Sequence, residues 1–127
     1  MNANGPVLDA LSNRIIGCAF TVANTLGSGF LEKIYENALA IELRSAGLTV
    51  VQQFGITVTY RDTIVGEYLA DLLVEDAILI ELKTARALDR AHHARCLNYL
   101  RATGRHLCLL MNIGLPRLEC RRVVLGL

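Results

Sequence analysis

The chain has 127 residues, 53% apolar and 20% charged, which fits one domain with a substantial core and excludes a disordered or fibrous protein. Its apolar runs are short and broken by charge or glycine; none reaches the roughly 18 residues that a bilayer-crossing helix needs, so no membrane role is expected. The net charge of +1 hides an asymmetry: residues 1–82 carry 4 Lys/Arg against 10 Asp/Glu, and residues 83–127 carry 9 against 2. Acids beside a basic surface suit an enzyme that holds a cation and acts on a polyanion, provided the two blocks separate in space rather than interleave.

Met1 to Pro6 has no basic stretch leading into an apolar one, so no signal peptide is indicated and a cytoplasmic location is expected. Leu8, Leu11, Ile15, Ala19, Val22 and Leu26 recur at three- and four-residue spacing, predicting a helix entered by Pro6 and closed by Gly27. A second helix is expected from about Gly29 to Ala46, with Gly47 just past its end. On it Glu32 shares a stripe with Tyr35, Leu39 and Leu43, so a carboxylate leans over the edge of the core.

The period then changes to that of strands: 49–54, 56–60, 67–74 and 78–83, divided by Gly55, Arg61-Asp62 and Glu75-Asp76, an antiparallel meander of three or four strands. A third helix from Asp89 to Thr103 stops at Gly104 and turns Leu97 and Leu100 inward. Residues 107–113 read as a buried central strand and 118–125 as an edge strand bearing arginines. The expected fold class is mixed α/β, a central mixed sheet flanked by helices in the order α-α-β-β-β-β-α-β-β, forming a single domain over residues 1–127.

Cys18, Cys96, Cys108 and Cys120 contain no Cys-x-x-Cys and sit among apolar neighbours, as reduced core thiols do. His92, His93 and Cys96 lack a second ligand pair at zinc spacing and read as helix-face residues.

The strongest functional signal is charge inside two apolar strands: Asp71, Glu81 and Lys83. Buried charge is costly unless paired or ion-bound, and Glu81 and Lys83, two apart, point to one face. A two-residue turn at Glu75-Asp76 would pair Asp71 with Ile80 and turn it away from Glu81. Convergence therefore requires an odd connection, such as Glu75-Asp76-Ala77, or a bulge. Alone, Glu81 and Lys83 would be an ordinary strand ion pair, and Glu32 an ordinary carboxylate at a helix start. It is their combination with Asp71 that points to a site.

Gly29-x-x-Glu32-x-x-Tyr35, the run Gly66 to Glu75 containing Asp71, Glu81-Leu82-Lys83, and Asn98 to Gly104 together resemble the GxxExxY family of the PD-(D/E)XK nuclease superfamily, over residues 8–125. The resemblance implies a restriction-endonuclease-like fold and a metal-dependent nuclease. Asp71 and Glu81 would bind Mg²⁺ (or Mn²⁺), with the Leu82 carbonyl as a third ligand. Lys83 would orient or deprotonate the attacking water, and Glu32 would hold a water on that ion. Substrate contacts would come from Tyr35, Arg86 and Arg95, and the partner would be DNA or RNA, with a homodimer extending the small footprint.

Three positions depart from the family pattern: Ala23 where His is common, Leu69 where Arg is common, and Arg95 where Gln is common. Arg only donates hydrogen bonds and adds a charge, so Arg95 either clamps a phosphate or marks a drifted support shell. The alternative is a catalytically weakened module of the same fold that binds nucleic acid or a partner. A purely structural subunit, its apolar surface buried in an oligomer, is the third reading. With no Trp and 6% aromatic residues, base stacking is not expected to drive recognition, and Tyr35 and Tyr99 read first as packing residues.

Overall fold

The computed structural model describes residues 5–126; Met1 to Asn4, on which the expectation of a cytoplasmic location partly rests, and Leu127 lie outside the described residues. Helix α1, Gly5–Leu26, buries the expected stripe, Leu8, Leu11, Ile15, Ala19 and Val22. Helix α2 runs Glu32–Ser45 and starts three residues later than the spacing suggests. Gly29 has φ +100° and Leu31 is extended, so this glycine shapes the loop before the helix. Glu32 is consequently the first helical residue, at the positive end of the helix dipole.

Strand β1, Val50–Tyr60, and strand β2, Thr63–Val74, form a hairpin around Arg61 and Asp62, both with positive φ (49° and 62°), as a tight hairpin turn requires. Strand β3, Ile78–Lys83, helix α3, Arg90–Thr103, strand β4, Leu107–Asn112, and strand β5, Glu119–Val124, complete the order. Two of the expected strands, 49–54 and 56–60, are thus one. Gly55 lies within the ladder opposite Leu69, and the observed order is α-α-β-β-β-α-β-β.

The five strands lie in sequence order across one sheet. All neighbours are antiparallel except β3 and β4, which are parallel and joined through α3. Helices α1 and α2 pack with Leu72, Ile80 and Leu109 on one face; α3 packs with Leu73, Leu79 and Leu110 on the other. Buried on both faces, β3 and β4 read as continuous apolar runs, and the charges of β3 stand at its end.

Simple alternation fails where β1 and β2 pass Gln53 and Asp71. Leu72 packs under α1 and α2 whereas Ala70 packs under α3, and Gln53 has φ +53°. The ribbon rolls from one face of the sheet to the other at that level.

The charge blocks interleave in part: Arg105 pairs with Asp76 at 2.5 Å and Arg122 with Asp9 at 2.6 Å. No described helix is long and apolar enough to cross a membrane.

Candidate active site

The β2–β3 ladder pairs Val74 with Ile78, Leu73 with Leu79 and Leu72 with Ile80, so the connection is Glu75-Asp76-Ala77. This is the odd count that convergence of Asp71 and Glu81 requires. Glu75 and Asp76 both adopt φ 53°, and the Glu75 carboxylate secures the turn by accepting from the Thr49 amide at 2.8 Å and its hydroxyl at 2.6 Å.

Beyond Leu72 the two strands part. Asp71 Oδ2 accepts the Leu82 N–H at 2.7 Å, so a carboxylate serves a backbone donor that the ladder does not reach. Burial pushes the Asp71 carboxyl above its usual range against the pull of that N–H, and the charge of Glu36 pushes the same way.

Glu81 is 3% exposed. Its Oε2 lies 3.2 Å from the Tyr99 hydroxyl, 3.5 Å from Lys83 Nζ and 3.7 Å from Arg95 Nε. Its Oε1 is buried and has no hydrogen-bond partner. Burial, and then the charge of Asp71, raise the Glu81 carboxyl to about 7 against the pull of Lys83 and Arg95. Glu32, half-buried, is also raised, first by burial and then by Asp71, while Lys83 pulls it down. Three acids and one lysine thus share one electrostatic neighbourhood.

Other residues of the site gave no clear sign in the sequence. Glu36, 3% exposed, accepts from Lys33 Nζ at 2.8 Å, Gln52 Nε2 at 2.7 Å and Gln53 Nε2 at 2.7 Å. Gln53 Nε2 also reaches Asp71 Oδ1 at 3.4 Å, so α2 buttresses Asp71 through β1. The i, i+4 spacing of Glu32 and Glu36 is the one sequence signal that could have flagged Glu36. Tyr99 accepts from Arg95 Nε at 2.8 Å, and its single proton goes to Glu81 Oε2 or to the Leu69 carbonyl, 3.3 Å away. Asn112 clasps the segment after Lys83, with Oδ1 accepting from the Ala85 N–H at 3.0 Å and Nδ2 donating to the Ala85 carbonyl at 2.8 Å.

One expectation needs correcting. Tyr35 is fully buried, with its hydroxyl donating to the Gly27 carbonyl at 2.6 Å and accepting from the Phe30 N–H at 3.2 Å. It ties down the loop before α2 and has no face left for substrate. Arg86 and Arg95 are exposed, Arg95 lying over the Tyr68 and Tyr99 rings. His92 closes the capping box of α3 with Asp89 and Cys96 is buried, in keeping with helix-face and core roles.

No three His, Cys, Asp or Glu side chains among the described residues stand close enough to enclose an ion. The pair Asp71 and Glu81 does fit: two carboxylates, one with a buried oxygen lacking a partner, both pushed toward protonation by burial. A cation between them would relieve both penalties, and oxygen ligands are what Mg²⁺ and Mn²⁺ take.

The fold is similar to that of solved structures. An alkaline exonuclease (LHK-Exo) from Laribacter hongkongensis superposes with TM-score 0.54 at 18% identity, over 99% of this chain and 73% of that one. The protein SSO0001 superposes with TM-score 0.59 at 18% identity, over 75% of this chain. The match spans half of the length of SSO0001. No curated protein matches the chain. The model of the family described as the PD-(D/E)XK nuclease superfamily matches residues 9–123, and the chain belongs to that superfamily.

Proposed function

We propose that the chain is a divalent-metal-dependent nuclease that hydrolyses nucleic-acid phosphodiesters, with Asp71, Glu81, Lys83 and Glu32 as its working residues. The observation that carries this reading is the partnerless buried Oε1 of Glu81, on the strand beside the half-buried Asp71 carboxylate and with Lys83 Nζ 3.5 Å from its other oxygen. Asp71 and Glu81 would hold Mg²⁺ or Mn²⁺, with the Leu82 carbonyl as a further oxygen. Bound there, the cation supplies a Lewis acid for a phosphoryl oxygen and lowers the pKa of water. Lys83 orients the attacking water and offsets charge growing on the phosphate. Glu32, its carboxyl raised by burial and by Asp71, would hold a water on that ion. Arg95 and Arg86 are the candidates for flanking phosphates. The motif residues support placement in the GxxExxY group, and a single domain, a cytoplasmic location and a homodimer belong to the same proposal.

The test is cleavage of labelled DNA and RNA with Mg²⁺ or Mn²⁺. Lys83→Met is expected to lower the rate by about 10²- to 10⁴-fold while the chain still unfolds in one cooperative transition. Undiminished cleavage by that variant would remove Lys83 from the mechanism.

A module that binds nucleic acid or a partner without turnover is the second reading. Lys83, Arg95 and Tyr99 already occupy Glu81 Oε2, an arrangement that suits a site internally neutralised. That reading expects salt-sensitive binding with no cleavage under any metal.

A further inference from the structure

We infer that the groove between β1 and α3 is a subsite for one nucleotide of a single strand leaving the active site, with its phosphate on Arg101. The inference rests on the nuclease reading and extends it to where the substrate runs.

The groove has a volume of about 490 Å³ and is walled by Thr57 and Thr59 of β1, Tyr68 of β2, and Asn98, Arg101 and Ala102 of α3. That volume lies in the range of small-molecule sites, about 300 to 1,000 Å³, and suits one nucleotide. No carboxylate lines it. Arg101 donates to the neutral Asn98 Oδ1 at 3.2 Å, so the amide steadies the guanidinium without cancelling its charge. The remaining guanidinium N–H groups suit a phosphate, which takes bidentate contacts from arginine.

Tyr68 links the groove to the carboxylates. It meets Tyr99 edge-on at 5.4 Å between centroids, and the Tyr99 hydroxyl lies against Glu81. The Arg95 guanidinium sits 5.6 Å over the Tyr68 ring and 3.7 Å from Glu81. A strand whose scissile phosphate meets Glu81 and Lys83 can therefore run past Arg95 and Tyr68 toward the groove. Tyr68 is the aromatic side chain of the groove's lining. The bulk of Ala102 is small enough to leave the space open.

The experiment is fluorescence-anisotropy binding of labelled single-stranded oligothymidylate in EDTA, titrated with salt, followed by steady-state cleavage with Mg²⁺. Arg101→Ala is expected to weaken binding and to reduce the slope of log K against log salt by about 0.7, the loss of one single-strand phosphate contact. Arg101→Lys should retain the slope, Ala102→Phe should weaken binding by filling the groove, and Arg90→Ala, outside it, should match wild type. In cleavage, Arg101→Ala should raise KM more than it lowers kcat. Wild-type slope and affinity in both Arg101→Ala and Ala102→Phe would overturn the subsite while leaving a cleaving wild type as a nuclease. An Arg101-dependent slope in a chain that cleaves under no metal would sustain the groove and sink the nuclease reading.

Discussion

At Glu81 a carboxylate is taken out of water with only one of its oxygens served. Its pKa of about 7 against an ordinary 4.5 means that the metal-free folded chain binds the proton more tightly than the unfolded one. Stability from this group is therefore greatest below pH 4.5 and is lost as pH rises toward 7, by about 3 kcal/mol at most. Glu81→Gln should abolish that loss, so the metal-free variant should be more stable than wild type at pH 8 and should differ less at pH 5, measured by urea unfolding in EDTA. An unchanged pH dependence would show that burial of Glu81 charge is not what sets it. Metal affinity should run the other way, rising with pH through 7 as the carboxylate ionises. Asp71, Glu81 and Lys83 were legible in the sequence because charge is conspicuous within apolar strands. Glu36, Gln53 and Tyr99 were not, because their meaning lies in donors and acceptors brought together from α2, β1 and α3.

The elements deliver those residues through a few local devices. Asn112, at the end of β4, holds both backbone groups of Ala85, so the segment following Lys83 is anchored by the neighbouring parallel strand. Asn112→Ala should cost about 1 to 3 kcal/mol in denaturant unfolding, since it leaves a part-buried N–H and C=O unserved, and should lower cleavage with it. Wild-type stability would mean that water takes over both bonds. Gly114 has φ +88°, and a Cβ there would lie 2.9 Å from a Tyr35 ring carbon; its carbonyl accepts the Gly29 N–H at 3.1 Å. Gly114→Ala should therefore shift the loop that sets Glu32, lowering the thermal midpoint and the activity together. The helices, the buried β4 and the three-residue turn were readable from periodicity, glycine stops and parity. The extent of β1 was not, because Gly55 reads as a breaker until a partner strand pairs across it. Nor was the roll of the ribbon at Gln53, where a non-glycine residue takes positive φ with its amide engaged by Glu36.

At the scale of the molecule, the expected acid–base polarity holds only in part, since Arg105 and Arg122 are spent on acids of the first block. The proposed substrate contacts therefore rest on three named arginines, Arg86, Arg95 and Arg101, rather than on net charge. Such a small footprint is the physical argument for a homodimer, checked by light scattering with and without oligonucleotide; a monomer in both states would remove it. The mixed sheet flanked by helices was legible from the order of the elements, whereas the placement of charge was not, because it depends on which surfaces meet. The most direct test of the account is calorimetric titration of Mg²⁺ and Mn²⁺ into wild type and an Asp71→Ala/Glu81→Ala double variant, with DNA and RNA cleavage measured on the same samples. Metal binding and cleavage in wild type, both lost in the double variant while the fold persists, is the expected result; no metal binding by wild type, or equal binding by both chains, would contradict it.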